Sequence, residues 1–254
     1  MFDAFTHTLG TLIPPVAAGA GALAAGASCA YYATYAVRSQ WLGPADWHGR
    51  EDTSSVALTF DDGPGADTER VLDVLAAHEM SATFFMVGRQ AERNAGTARR
   101  VVAAGHEVGN HSYSHPIYLY RSARETRRQL ALAQDAIEGA TGVQPRLARP
   151  PCGVRSPAYF RAARSLGLRT VQWGVAGFDW KPVGAREIAR HVLKDVRAGS
   201  IILLHDGDSE GKSDRRETVA ALPLIFEGLG ERGLKVAPLS CLLGIEEATA
   251  AKVR

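Results

Sequence analysis

Val56-Ala57-Leu58-Thr59-Phe60-Asp61-Asp62-Gly63-Pro64 is an apolar run that stops at two adjacent carboxylates and a Gly-Pro turn. A short apolar run bounded by turn formers reads as a buried β-strand. The same grammar recurs at 82–87, 107–109, 146–149, 169–173, 200–204 and 235–238. Between these runs, apolar residues recur at three- and four-residue spacing over 67–79, 91–104, 122–141, 157–166, 185–198 and 214–230, the period of amphipathic helices. Each crossover is long enough for parallel pairing. The pattern predicts an α/β fold, a distorted or incomplete (β/α) barrel of about seven parallel strands.

Polar clusters sit where the apolar runs end. Asp61-Asp62 is followed about 50 residues on by His111-Ser112-Tyr113-Ser114-His115, and much later by Leu203-Leu204-His205-Asp206. An α/β barrel carries its functional loops at the strand ends. Two histidines four apart are expected on one face of a helical turn. With Asp62, His111 and His115 make a three-ligand divalent-metal set with open positions. Each cluster alone has a plain structural reading: a turn, a solvated helix face, a strand-end polar pair. Their joint order and placement point to a site.

Together these segments resemble the signature of the polysaccharide deacetylase family, also called the NodB-homology or carbohydrate esterase family 4 domain. Arg149-Pro150-Pro151-Cys152-Gly153 resembles the family's third motif and Asp179-Trp180 its fourth. The chain departs from the pattern where Cys152 replaces an aromatic, and where Val175-Ala176-Gly177 replaces an acidic residue ahead of Asp179-Trp180. The resemblance implies the same barrel and removal of N-acetyl groups, with O-acetyl a close variant, from a carbohydrate such as chito-oligosaccharide, peptidoglycan or exopolysaccharide. The stretch from Asp206 to Pro223 is similar to that of the chito-oligosaccharide deacetylases, which favours a sugar substrate.

In that chemistry Asp62, His111 and His115 hold a divalent metal. Mixed nitrogen and carboxylate ligands suit Zn²⁺, and Co²⁺ or Ni²⁺ would be accepted. Asp61, expected on the opposite face from Asp62 by strand alternation, acts as general base. The resemblance gives Arg149 the role of holding Asp61, and the Cys152 backbone N–H that of meeting the oxyanion. His205 is the candidate general acid, with Asp179 raising its pKa. Leu204 and Trp180 are expected to line a pocket for the acetyl methyl. Two competing readings share the scaffold. One is an inactive carbohydrate-binding or membrane-scaffold domain, against which the intact polar set argues; the other is a hydrolase of a small non-sugar amide.

With 254 residues, 46% of them hydrophobic, the chain can bury one sizeable core. A net charge of +2 supplies no field for nucleic acid, and Arg121, Arg124, Arg127 and Arg128 are spaced like a solvated helix face. Cys29, Cys152 and Cys241 are odd in number and far apart, so no disulfide framework is implied. Residues 11–37 carry no charged side chain and end in tyrosines before Arg38 and Trp41. That segment is expected to be an apolar helix anchoring the protein in a membrane by a single N-terminal span. Ala25-Gly26-Ala27 offers an alternative cleavage site, whereas Gly26 ahead of Cys29 disfavours lipidation. Arg38 and Arg50 would keep the catalytic part cytoplasmic, while a wall substrate requires it outside. The expected organisation is an anchor at 1–38 dispensable to the barrel, a linker at 39–53, a catalytic domain at 54–245 and a tail at 246–254.

Overall fold

The central strand is β1, Ser55–Asp61, with every residue after Ser55 buried. In this computed structural model, which describes residues 15–51, 53–212 and 214–245, it pairs in parallel on both flanks. The other strands are β2 Thr83–Met86, β3 Glu107–Asn110, β4 Leu147–Ala148, β5 Arg169–Thr170, β6 Val175–Ala176, β7 Ile201–His205 and β8 Lys235–Val236. They run in the order β5-β4-β3-β2-β1-β7-β6, seven parallel strands, with β8 joined to the start of β1. The path does not close between β5 and β6, so the barrel is incomplete.

Nine helices accompany the strands among the described residues: α1 Pro15–Tyr35, α2 Thr68–Ala77, α3 Gly88–Arg93, α4 Ala95–Ala103, α5 Ala123–Thr141, α6 Pro157–Ser165, α7 Ala185–Asp195, α8 Arg216–Glu231 and α9 Leu239–Leu242. Their ends carry local signals. The Ser122 hydroxyl accepts from Glu125 N at the start of α5, and Gly142 closes that helix at φ 77°. Ser156 and Pro157 open α6 in the same manner. One helix expected over 91–104 is instead two. Asn94 breaks it, with φ −117° and ψ 43°, and its side-chain amide donates to Pro64 O at 2.9 Å.

Alternation splits the strands between two layers. Val56, Leu58 and Phe60 pack outward with Phe84, Met86, Ile202 and Leu204 beneath the helices. Ala57 turns inward to Phe85, Leu147, Val171, Ile201 and Leu239. β6 escapes the sequence pattern because it is two residues long between Gly174 and Gly177. A Cβ on Gly177 would meet Leu204 Cδ2 at 2.5 Å.

The N-terminal expectations fare differently. Among the described residues no helix is long and apolar enough to cross a membrane, so the expected span is not supported. α1 holds nine alanines and three glycines, which bring little apolar area per residue. Residues 11–14 and the tail 246–254 lie outside the described residues. Segment 39–53, expected as a linker, packs along the edge of the sheet: Asp46 N donates to Thr170 O at 3.0 Å and Gly49 N to Gly199 O at 2.7 Å. The Asp46 carboxylate also receives both Nε and Nη2 of Arg169, at 2.6 and 2.9 Å.

Candidate active site

Parallel pairing of β1 with β7 makes Asp61 and His205 register partners. Strand alternation would send the Asp61 and Asp62 carboxylates to opposite faces. It does not, because Asp62 leaves the strand at φ 77°. Both carboxylates therefore approach His111 Nε2, Asp61 Oδ2 at 3.7 Å and Asp62 Oδ1 at 3.5 Å. The turn after them is held by Asp206, whose carboxylate accepts from Gly63 N at 3.1 Å and from the Thr68 hydroxyl at 2.5 Å. A Cβ on Gly63 would collide with that carboxylate, which explains the glycine.

His111 and His115 do not lie on a helix. Their loop follows β3 with φ 66° at Ser112 and 59° at His115, and local side chains pin it. Asn110 Oδ1 accepts from Ser112 N at 2.9 Å, and the Ser112 hydroxyl accepts from His115 N at 2.9 Å. The rings still meet, with centroids 5.0 Å apart. His115 Nε2 comes within 3.1 Å of Asp62 Oδ1.

The donor set fits a divalent cation. One ligand atom from each of Asp62, His111 and His115 lies within 4.8 Å of the others. Asp62 Oδ1 is buried and makes no hydrogen bond among the described residues. His111 Nδ1 sits 2.8 Å from Arg149 O, which can only accept, so the proton is on Nδ1 and the lone pair on Nε2. Burial pulls this imidazole down to about 4 against the pull of Asp61 and Asp62, keeping it neutral. Burial pushes Asp62 up, but His115 and His111 outweigh it and hold the carboxyl below its usual range.

Two charged pairs flank that set. Arg149, fully buried, donates from Nη1 to Asp61 Oδ1 at 2.7 Å and to Thr59 Oγ1 at 2.8 Å, and from Nη2 to Gln172 O at 3.0 Å. Burial lowers its pKa and Asp61 opposes that. On the other side Asp179 Oδ1 stands 2.8 Å from His205 Nδ1, while Asp179 Oδ2 accepts from His205 N at 2.8 Å and from the Thr218 hydroxyl at 2.9 Å. Burial would lower the His205 pKa, but Asp179, with Asp62 and Asp61 adding, leaves it raised. Thus Asp179 itself supplies the negative neighbour, although no acidic residue precedes it at 175–177.

Trp180 places its ring 5.4 Å from that of His205, nearly perpendicular, and is half exposed. Leu204 does not line the cleft: it is fully buried in the outward core with Val175 and Ile188, since alternation points it away from His205. Cys152 is exposed at φ 54°. Burial, then Asp62 and Asp61, raise its thiol pKa, so the sulfur is no ready thiolate. Sequence reasoning missed Gln172, whose Nε2 donates to Gly153 O at 2.9 Å. It also missed Arg215, which donates from Nε to Gly207 O and from Nη1 to Asp179 O. Gln172 stands in no motif, whereas Arg215 lies within the 206–223 stretch, where its contacts had no signal of their own. Asn110, directly before His111, also had a positional clue.

The fold and these positions can be set beside known proteins. The polysaccharide deacetylase family matches over residues 48–171. A peptidoglycan-N-acetylglucosamine deacetylase of Bacillus cereus is 36% identical over 209 residues, covering 79% of this chain and 93% of that protein. The chain belongs to the polysaccharide deacetylase family. A chitooligosaccharide deacetylase of Sinorhizobium fredii is 42% identical over 193 residues, covering 73% of this polysaccharide deacetylase and 90% of its relative. Among solved structures, a peptidoglycan N-acetylglucosamine deacetylase in complex with 4-naphthalen-1-yl-N-oxidanyl-benzamide superposes with a TM-score of 0.75 at 32% identity. That superposition covers 80% of this chain and 94% of the other.

Proposed function

We propose that this polysaccharide deacetylase is a metal-dependent hydrolase that removes N-acetyl groups from a carbohydrate polymer or oligomer, such as chito-oligosaccharide or peptidoglycan. One observation carries the reading: an imidazole and carboxylate triad, Asp62, His111 and His115, stands between an arginine-held carboxylate and an aspartate-held histidine. The triad would hold a divalent ion such as Zn²⁺, Co²⁺ or Ni²⁺. When bound, such an ion supplies Lewis-acid polarisation of a carbonyl and acidifies water.

The remaining work falls to the chain's own groups. Asp61 accepts the proton of the attacking water on the oxygen that Arg149 leaves unpaired. The guanidinium fixes the orientation of the carboxylate. The Cys152 N–H donates to the oxygen on which charge develops, a role its side chain does not affect. His205 gives its Nε2 proton to the departing amine, while Asp179 holds Nδ1–H and stabilises the imidazolium. The products are acetate and a free amine on the sugar. Trp180 covers the acetyl methyl beside His205.

Incubating the full-length chain, freed of metal and reloaded with Zn²⁺ or Co²⁺, with chito-oligosaccharides, peptidoglycan and acetylated xylan tests the proposal. Acetate release that follows metal loading is the expected result. Stoichiometric metal without acetate from any glycan would overturn it.

A further inference from the structure

The turn that presents the Cys152 N–H is held from outside the cleft. Gly153 N donates to Pro150 O at 2.9 Å and Val154 N to Pro151 O at 3.0 Å, while Cys152 N meets no backbone acceptor among the described residues. That free N–H depends on two successive left-handed residues, Cys152 at φ 54° and Gly153 at φ 68°. A non-glycine residue keeps such a conformation only where its surroundings impose it. Here they act on one atom, Gly153 O, which accepts from Gln172 Nε2 at 2.9 Å and from Arg155 Nη1 at 3.1 Å. Both donor residues are fully buried. Gly153 cannot gain a side chain, since a Cβ there would meet Trp173 Cη2 at 2.8 Å.

Arg155 reaches further than Gln172. Its Nη2 donates to Ala36 O at 2.6 Å and to Ala33 O and Ser39 O at 3.4 Å each, and its backbone N donates to Thr34 O at 3.3 Å. A guanidinium on the carbonyls at a helix C-terminus satisfies orphan acceptors and complements the dipole. The end of α1 is thereby clamped to the loop that carries Cys152. A planar fork of donors is what lets one side chain serve Gly153 O and Ala36 O together. The metal set is tied to this loop upstream of the turn, where His111 Nδ1 donates to Arg149 O at 2.8 Å.

Building on the deacetylase reading, we propose that Arg155 and Gln172 are positioning residues for the reaction. Through Gly153 O they lock the turn so that the Cys152 N–H meets the oxygen on which charge develops, and Arg155 makes the end of α1 part of that lock. An oxyanion donor acts in the transition state, so a turn that relaxes lowers kcat and leaves the binding of substrate and metal in place.

The test compares Arg155→Met, Arg155→Lys and Gln172→Met with wild type in the full-length chain loaded with Zn²⁺. The substrate is the pentasaccharide of N-acetylglucosamine, at a temperature well below every melt. Per metal-loaded molecule, each variant should lower kcat about 10- to 100-fold, less than outright removal of such a donor, and hold KM within about twofold. Lysine should not rescue, because its single terminal nitrogen cannot span both carbonyls. Leu229→Ala, in the outward core near the far end of α8, controls for lost stability and should keep kcat within about twofold. A second readout needs no turnover. In a Cys29→Ser, Cys241→Ser background, iodoacetamide should alkylate the exposed Cys152 about fivefold faster once Arg155→Met or Gln172→Met loosens the turn. Unchanged kcat, a loss confined to KM, loss of metal, or an equal fall in Leu229→Ala would overturn the proposal, as would alkylation at the parent rate. A wild type that releases no acetate would instead sink the functional reading, and the alkylation rates would still decide whether Arg155 and Gln172 hold the turn.

Discussion

Deleting residues 1–38 should lower the melting temperature of the protein, although every motif of the site lies beyond residue 58. The deletion removes Ala36 O, the closest acceptor of the Arg155 guanidinium at 2.6 Å, with Ala33 O at 3.4 Å and the acceptor of Arg155 N, Thr34 O, at 3.3 Å. A hydrogen bond to a charged group contributes about 1.5–3 kcal/mol net. Only one of these three is short, and water would reach the uncovered guanidinium, so the total comes to about 2–4 kcal/mol. At roughly 2–4 °C per kcal/mol for a chain of this size, the melt should fall by about 5–15 °C. Scanning calorimetry on the full chain and on residues 39–254 measures it. Arg155→Met should cost a similar amount in the full chain and much less in the truncated one, because the two changes remove the same contact. Melts of the full and truncated chains that coincide within about 1 °C would refute the argument, since the clamp would then carry no net energy.

Asp62→Ala, His111→Ala and His115→Ala should each lose bound metal by elemental analysis, because a three-ligand site cannot spare a ligand; any variant that stays stoichiometric is not a ligand position. Asp61→Asn should keep metal and lose about 100- to 10,000-fold in kcat, as expected on removing a general base. His205→Ala should slow cleavage of an N-acetyl sugar far more than that of an aryl acetate, whose leaving group needs no proton, and equal losses would assign His205 another role. Because Asp179 raises the His205 pKa, amide cleavage should fall as pH climbs through a value above the ordinary histidine range. Asp179→Asn should move that alkaline limb to lower pH, since burial then acts unopposed, and an unmoved limb would separate the two residues.

The barrel was legible because all seven apolar runs mark strands and the helical periods fall between them. What stayed hidden is physically short or local. β6 is two residues between glycines, and the split at Asn94 depends on an amide reaching Pro64 O across the fold. That Asp62, His111 and His115 converge could be expected from their motifs, yet the reason for their approach was misread. Neither a helical turn nor strand alternation brings them together; left-handed φ values at Asp62, Ser112 and His115 do. Leu204 was expected to line a pocket with Trp180, but it adjoins His205 in β7 and neighbours in a strand face opposite sides. Arg155 carried no signal at all, as its partners are backbone carbonyls, which every residue owns.

The pairing of β1 has a temporal side. Its partner on one flank, β2, leaves the ribosome soon after it, but residues 57–61 find β7 at 201–205 only when four fifths of the chain has been made. Until then the Val56–Phe60 edge has no strand on that flank, a state in which non-local sheets fold slowly and are prone to associate. A nascent chain halted before residue 201 would already hold Asp62, His111 and His115 but lack His205. If His205 serves as proposed, gain of deacetylation would report the docking of β7 on β1, and synthesis rate or chaperone supply should govern it more strongly than metal binding by Asp62, His111 and His115.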